Sequence, residues 1–210
     1  AKTKKPVMIS TGASTLDEVE NAIEILRKNN TDIVLMQCNT NYTGNDENFD
    51  FINLNVLNKY KRMFPDVIIG LSDHTHGSVT TLGAVALGAR VVEKHFTDDN
   101  SRPGPDHPFS MNPKSWREMV DHTRILERSM GTDIKKVEEN EKETVVLQRR
   151  ALRLVRDMKK GELISVSDFE FQRPCPEDAL SINKFKAIID KKINRDIPSG
   201  DYLKAGDVDA

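Results

Sequence analysis

The sequence predicts an α/β fold in which repeated βα units surround a parallel sheet and a smaller β-rich segment follows. Three observations point there. Between Pro6 and Gly131 short β-branched runs alternate with amphipathic helical windows, the pattern of consecutive βα units. The runs themselves are nearly all apolar, as expected of strands covered on both faces. From Ala151 to Ala210 the character changes to β-type runs and turns carrying a weak internal repeat.

Taken in order, the expected strands are Val7–Ser10, Ile33–Gln37, Val67–Gly70 and Val91–His95. After the first, Leu16, Val19, Ile23 and Leu26 keep helical spacing. Thr15 or Ser14 supplies the N-cap, and Asp17 and Glu18 sit in the first turn where the helix dipole favours acids. Val79–Leu87 reads as a short helix of small residues. Pro113–Met130 reads as a longer one, with Pro113 in its first turn and Gly131 at its end. Four such units make half of an eight-fold barrel, with two open edges and a one-sided core. The alternatives are a fragment of a barrel or an open doubly wound sheet. The first strand begins almost at once and without an initiator Met, which suggests a chain cut from something longer.

Residues 132–150 form a charged run, read as a solvated linker or exposed helix. In the last segment, the stretch from Gly161 to Phe169 (GELISVSDF) aligns with that from Gly200 to Val208 (GDYLKAGDV) in its Gly, its acid, two apolar positions and a late Asp. That repeat suggests a small domain with pseudo-two-fold symmetry. Composition excludes several classes of partner. Lys and Arg number 31 against 33 Asp and Glu, a net charge of −2, so no basic excess points to nucleic acid or an anionic membrane. No apolar stretch reaches the ~20 residues of a membrane span, and the N-terminus lacks the apolar core of a signal peptide. Cys38 and Cys175 are far apart and outside any CxxC spacing, which argues against a disulfide framework or thiolate zinc and fits a reducing cytoplasm.

The chemistry-bearing residues gather at the C-terminal ends of the expected strands, where parallel α/β folds place their sites. His74 and His95 end consecutive strands. Neighbouring strands are ~4.8 Å apart, so two imidazoles on one face can share a divalent ion. Alternation places Gly70, Ser72 and His74 on one face, as it does Val91, Glu93 and His95. Ser10 opens the segment STGAS, a strand-to-helix junction whose free N–H groups suit a phosphate. Ser72 and the loop Cys38-Asn39-Thr-Asn41-Tyr42 offer further hydroxyls, amides and a phenol. The loop after His95 carries Asp98, Arg102, Asp106 and His107 between prolines that limit its freedom. His76, His107 and His122 read as surface or loop residues, and Trp116 as packing its helix.

These motifs resemble a known family. LSDHT (71–75), LGAVALGA (82–89), EKHFTDD (93–99), RPGPDH (102–107) and FSMNP (109–113) stand in the order and spacing of the sialic acid synthases. Those enzymes make N-acetylneuraminate and related nonulosonates from phosphoenolpyruvate. The repeat-bearing segment is similar to their SAF (antifreeze-like) domain. The resemblance implies a (β/α)8 TIM barrel, present as its second half over 1–131, a charged linker over 132–150 and the SAF domain over 151–210.

It further implies a transferase that condenses phosphoenolpyruvate with an open-chain N-acylated amino sugar, N-acetylmannosamine or a related bacterial hexosamine, releasing phosphate. By the same resemblance His74 and His95 hold a divalent metal, manganese in the first instance, with magnesium or cobalt as alternatives, and Asp106 lies near metal and sugar. Ser10, Ser72, Asn39, Asn41 and Tyr42 contact phosphoenolpyruvate, and Arg173 reaches the sugar from the partner subunit of a domain-swapped homodimer. The family's Cys-Thr-x-x-Tyr-Pro is replaced here by Cys38-Asn-Thr-Asn-Tyr42-Thr43, so the amide ligand is Asn39, Asn41 or neither. Two other readings stand beside this one: a divalent-metal lyase or hydrolase that needs no phosphoenolpyruvate, and a non-catalytic SAF-type sugar-binding fragment.

Overall fold

The computed structural model describes residues 1–29 and 32–209; residue 210, the last of the expected SAF segment, lies outside them. The chain forms two units, Ala1–Thr132 and Asp133–Ala210.

In the first unit β1 (Val7–Ser10), β2 (Ile33–Cys38), β3 (Ile68–Asp73) and β4 (Val91–Lys94) form one parallel sheet in sequential order. Helices α1 (Leu16–Lys28), α2 (Val56–Met63) and α3 (Val79–Ala86) connect them, and α4 (Pro113–Met130) follows. Ile33, Leu35, Ile69 and Leu71 point to the helical side, where Val19, Ile23, Leu26, Leu57, Tyr60 and Phe64 cover them in one core. Each such fully buried side chain contributes roughly 1.5–3 kcal/mol. The opposite face carries no helix core: Met8 and Ile68 stand there 65% and 50% exposed. A doubly wound sheet would bury both faces. Sequential strand order with the core on one face is instead the curled wall of a half barrel, which decides between the two architectures the sequence left open.

Local signals account for most elements. Thr15 caps α1 through a capping box with Glu18, and Asn112 does the same for α4 with Ser115, ahead of Pro113. Helix α2 had no expectation, because its apolar signal is two buried positions, Leu57 and Tyr60, set among Asn, Lys and Arg. The third strand runs past Gly70 to Asp73 rather than ending at the glycine. Gly70 sits between Met36 and Val91 in register, and a Cβ there would come within 2.7 Å of the Val91 carbonyl oxygen. Close approach of the backbones, not a turn, requires the glycine.

The second unit includes part of the charged run. Helix α5 (Lys142–Gln148) lies within it, and the Cys175 N–H donates to the Val146 carbonyl at 2.9 Å. Strands β5 (Ala151–Leu154) and β6 (Phe169–Gln172) pair antiparallel over a core of Leu152, Leu154, Met158, Ile164, Ile193, Ile197 and Leu203. The repeat is longer than the sequence reading took it to be. Arg156 and Arg195 each pair through Nε with a buried carboxylate, Asp168 at 2.7 Å and Asp207 at 2.5 Å. Gly161 N donates to the Ile193 carbonyl and Gly200 N to that of Leu154, both at 2.8 Å. Met158 and Ile197 exchange reciprocal bonds at 2.9 Å. Every one of these contacts maps onto another across the same two-fold.

Candidate active site

The helix-free face of the sheet collects polar side chains at its C-terminal end. Ser72 and Glu93 are register partners, and the Ser72 hydroxyl donates to Glu93 Oε1 at 2.8 Å. His74 and His95 follow just beyond the two strands, with ring centroids 5.1 Å apart. Tyr42, on the loop after β2, lies edge-on to both imidazoles, at 4.3 Å from His74 and 5.4 Å from His95. Phe109 closes the other side of His95 at 5.0 Å.

Burial, then the nearby His95 charge, hold the His74 imidazole below the ordinary histidine range, against Asp73, the Asn39 backbone and Glu93, which pull the other way. The neutral form is thereby favoured at His74, the form that ligates a cation. Cys38 Sγ lies 3.7 Å from His74 Nδ1. The carboxylate of Asp106 lies 3.6 Å from His95 Nδ1, beyond hydrogen-bond distance. No group of three or more His, Cys, Asp or Glu side chains converges for metal binding among the described residues. Among the described residues the two imidazoles are the nitrogen donors that stand side by side here. The two rings fit a divalent cation in donor type, and His74 also in the neutral form that its burial favours.

A family model described as the NeuB family matches residues 1–135, and one described as the SAF domain matches 149–209. The chain belongs to the NeuB family. It is 36% identical over 208 residues to a pseudaminic acid synthase of Campylobacter jejuni, covering 99% of the chain and 59% of that protein. It is 33% identical over 207 residues to the N,N'-diacetyllegionaminic acid synthase of the same species, covering 97% and 60%. A solved N-acetylneuraminic acid synthetase from Leptospira borgpetersenii, in complex with citrate, matches with a TM-score of 0.59 and 30% identity, over 67% of the chain and 48% of that structure. The chain thus spans about three fifths of the length of these curated relatives.

Within this NeuB-family chain, the expected site residues fall into three groups. His74, His95, Asp106, Ser72 and Tyr42 come together as described above. Ser10 ends β1 in register with Met36, so it faces the same helix-free side from the edge strand, exposed. Asn39 and Asn41 fold their own loop: the Asn39 Oδ1 accepts from Asn41 N at 3.1 Å, and the Asn41 Oδ1 from Thr43 N at 3.0 Å. Their amide oxygens serve as turn formers in this structure. Arg173 stands in the second unit, where its Nε donates to the Gln148 carbonyl at 2.8 Å.

Glu93, Cys38 and Phe109 complete the His cluster without having been singled out as site residues. For Glu93 the signal was in the sequence, since alternation had already placed it on the face of His95. The loop after His95 is tied internally. Asn100 Nδ2 donates to the carbonyls of His107 and Ser110, both at 2.8 Å, and Arg102 donates to Asp98 at 2.7 Å. Among the described residues no helix is long and apolar enough to cross a membrane.

Proposed function

We propose that the chain is the cation-holding part of a phosphoenolpyruvate-dependent nonulosonate synthase, which joins phosphoenolpyruvate to an open-chain N-acylated amino sugar. The observation that carries this reading is the pair of imidazoles, 5.1 Å apart at adjacent strand ends on the helix-free face. Identity of 33–36% with synthases of the same class supports it.

His74 and His95 would hold the divalent metal, with manganese as the first candidate, and Asp106, 3.6 Å from His95, would stand near metal and sugar. A bound cation supplies Lewis-acid polarisation of the sugar's aldehyde oxygen. Ser72 and Ser10 would bind the phosphate of phosphoenolpyruvate, while the N-terminus of α1 is already closed by the Thr15–Glu18 capping box. Tyr42 would wall the cleft beside both rings and keep water from one side. The C=C pair of phosphoenolpyruvate then forms the bond from its methylene carbon to the aldehyde carbon, the carbonyl π pair moves onto the aldehyde oxygen, which takes up a proton, and C2 is left cationic. Water adds at C2 with loss of a proton, and the C–O bond to phosphate breaks as C2 becomes the ketone. Positioning and preorganised charge would provide most of the acceleration. Arg173 of a partner subunit's SAF domain would reach the sugar in a homodimer, and the enzyme would work in the cytoplasm.

The test is release of inorganic phosphate by the protein expressed from its complete coding sequence. Release is expected only with phosphoenolpyruvate and an N-acylated hexosamine together, with EDTA abolishing it and manganese restoring it. Turnover of a sugar without phosphoenolpyruvate would refute the proposal in favour of a metal-dependent lyase or hydrolase.

A further inference from the structure

Behind the histidines lies a buried ion pair that the chemistry above does not use. Asp73 and Lys94 are register partners at the ends of β3 and β4, and each immediately precedes a histidine. By strand alternation both point away from the imidazoles, towards the helices. Their side chains are 0% and 1% exposed. Lys94 Nζ donates to Asp73 Oδ2 at 2.6 Å and to the Thr75 carbonyl at 2.7 Å. The ammonium therefore grips the two residues that flank His74.

The carboxylate is satisfied on both oxygens. Asp73 Oδ1 accepts from the Thr75 N–H at 3.0 Å and from the Thr75 hydroxyl at 2.8 Å. Oδ2 accepts from the Thr80 hydroxyl on α3 as well as from Lys94. The two threonine hydroxyls are themselves 3.1 Å apart. One network thus joins the ends of β3 and β4, which lead into His74 and His95, to the first turn of α3.

A buried ion pair adds little stability over apolar residues of the same size, because desolvation offsets the attraction. Stability is therefore a poor account of why charges stand here. Directional bonds provide something an aliphatic contact does not, a fixed registration between two strand ends. We infer that Asp73 and Lys94, supported by Thr75 and Thr80, are positioning residues that set the separation of His74 and His95. The inference rests on the reading of that pair as a cation site.

The test uses the protein from its complete coding sequence and the double variant Asp73→Leu/Lys94→Met. Removing both charges together leaves neither one buried alone, and thermal unfolding checks that the variant folds. The first readout needs no metal: a long-range 1H–15N spectrum of the histidine rings. The parent is expected to give one set of signals for each of the two rings, and the variant split or broadened sets. The second readout is manganese affinity by electron paramagnetic resonance, expected to fall about 10–100-fold, the range typical of lost outer-shell support.

Parent-like ring signals in the folded variant overturn the inference, whatever the metal does. Altered ring signals in a protein whose parent binds no manganese support the positioning role and overturn the cation reading instead. Should the double variant not fold, Thr80→Val removes one donor to Asp73 at nearly constant volume. Changed His74 ring signals in that variant support the inference, and unchanged ones overturn it.

Discussion

Replacing Gly70 by Ala should transmit a small steric insult from the sheet to the candidate site. An added Cβ would lie 2.7 Å from the Val91 carbonyl oxygen, 2.8 Å from Met36 Cγ and 3.3 Å from Val91 Cβ. Met36 is a flexible side chain and can yield. The Val91 carbonyl is backbone and yields only if β4 moves. Ordinary carbon–oxygen contact needs more than half an ångström beyond what is available, so β4 must shift, and it carries Glu93 and leads into His95. Overpacking of this kind costs about 1–3 kcal/mol, which for a chain of this length is a fall in melting temperature of about 2–12 °C. Calorimetry or thermal circular dichroism measures it, with Gly206→Ala as the control. Gly206 has open space around its missing Cβ and an ordinary φ, so that change should be neutral or stabilise by up to about 1 kcal/mol. A Gly70→Ala protein that melts with the parent would refute the claim that close backbone approach, rather than chance, requires the glycine.

Other predictions follow from single features. The carboxylate of Asp207 is buried, which alone would raise its pKa, but bonds from Arg195 and the Lys204 N–H outweigh this and hold it below the usual carboxylate range. The stability it adds is present above the unfolded carboxylate pKa and is lost as pH falls through the folded one. Asp207→Ala should cost about 1.5–3 kcal/mol by urea unfolding at neutral pH, and Asp168→Ala, its counterpart across the two-fold, a similar amount; costs differing severalfold would show that the symmetry is one of shape only. For His74 the sign is the same, since burial and the neighbouring His95 hold its folded pKa below the ordinary histidine value. As pH falls through that value the unfolded chain takes up the proton first, so stability declines. A His74→Asn variant should show a flatter stability profile between pH 7 and 5, and an equally steep one would count against the burial argument. The proposed phosphate release should likewise decline in acid as His74 takes up a proton and ceases to be a ligand, and a flat profile from pH 7 to 5 would contradict that expectation.

Much of the first unit was legible in the sequence because local signals and tertiary packing agree there. Val7–Ser10 and Pro113–Met130 carry their own boundaries, in an apolar run and in an Asn-Pro start with a Gly stop. Where they conflict the sequence misleads. Gly70 reads as a strand end in isolation, yet serves inside β3 because two neighbouring strands crowd it. Helix α2 is too short and too polar for periodicity to reveal before Phe64, Tyr60 and Leu57 are seen in the core.

The site shows the same division. His74 and His95 are visible from strand-end placement, and Glu93 follows from alternation. The part played by Cys38 and the Asp73–Lys94 pair is not visible, since it depends on which side chains meet across strands. In the second unit the late Asp of each repeat could be read, but not its arginine. Each Arg stands well upstream of its carboxylate, and only the fold shows them as one motif used twice.

Whether two imidazoles of this chain hold one divalent cation decides the proposed function. Pulsed electron paramagnetic resonance of manganese bound to the protein from its complete coding sequence addresses this directly. It should show coupling to two imidazole nitrogens, reduced to one in His74→Ala and in His95→Ala and absent in the double variant. Manganese bound with no imidazole coupling, or with coupling unchanged in the double variant, would contradict the account.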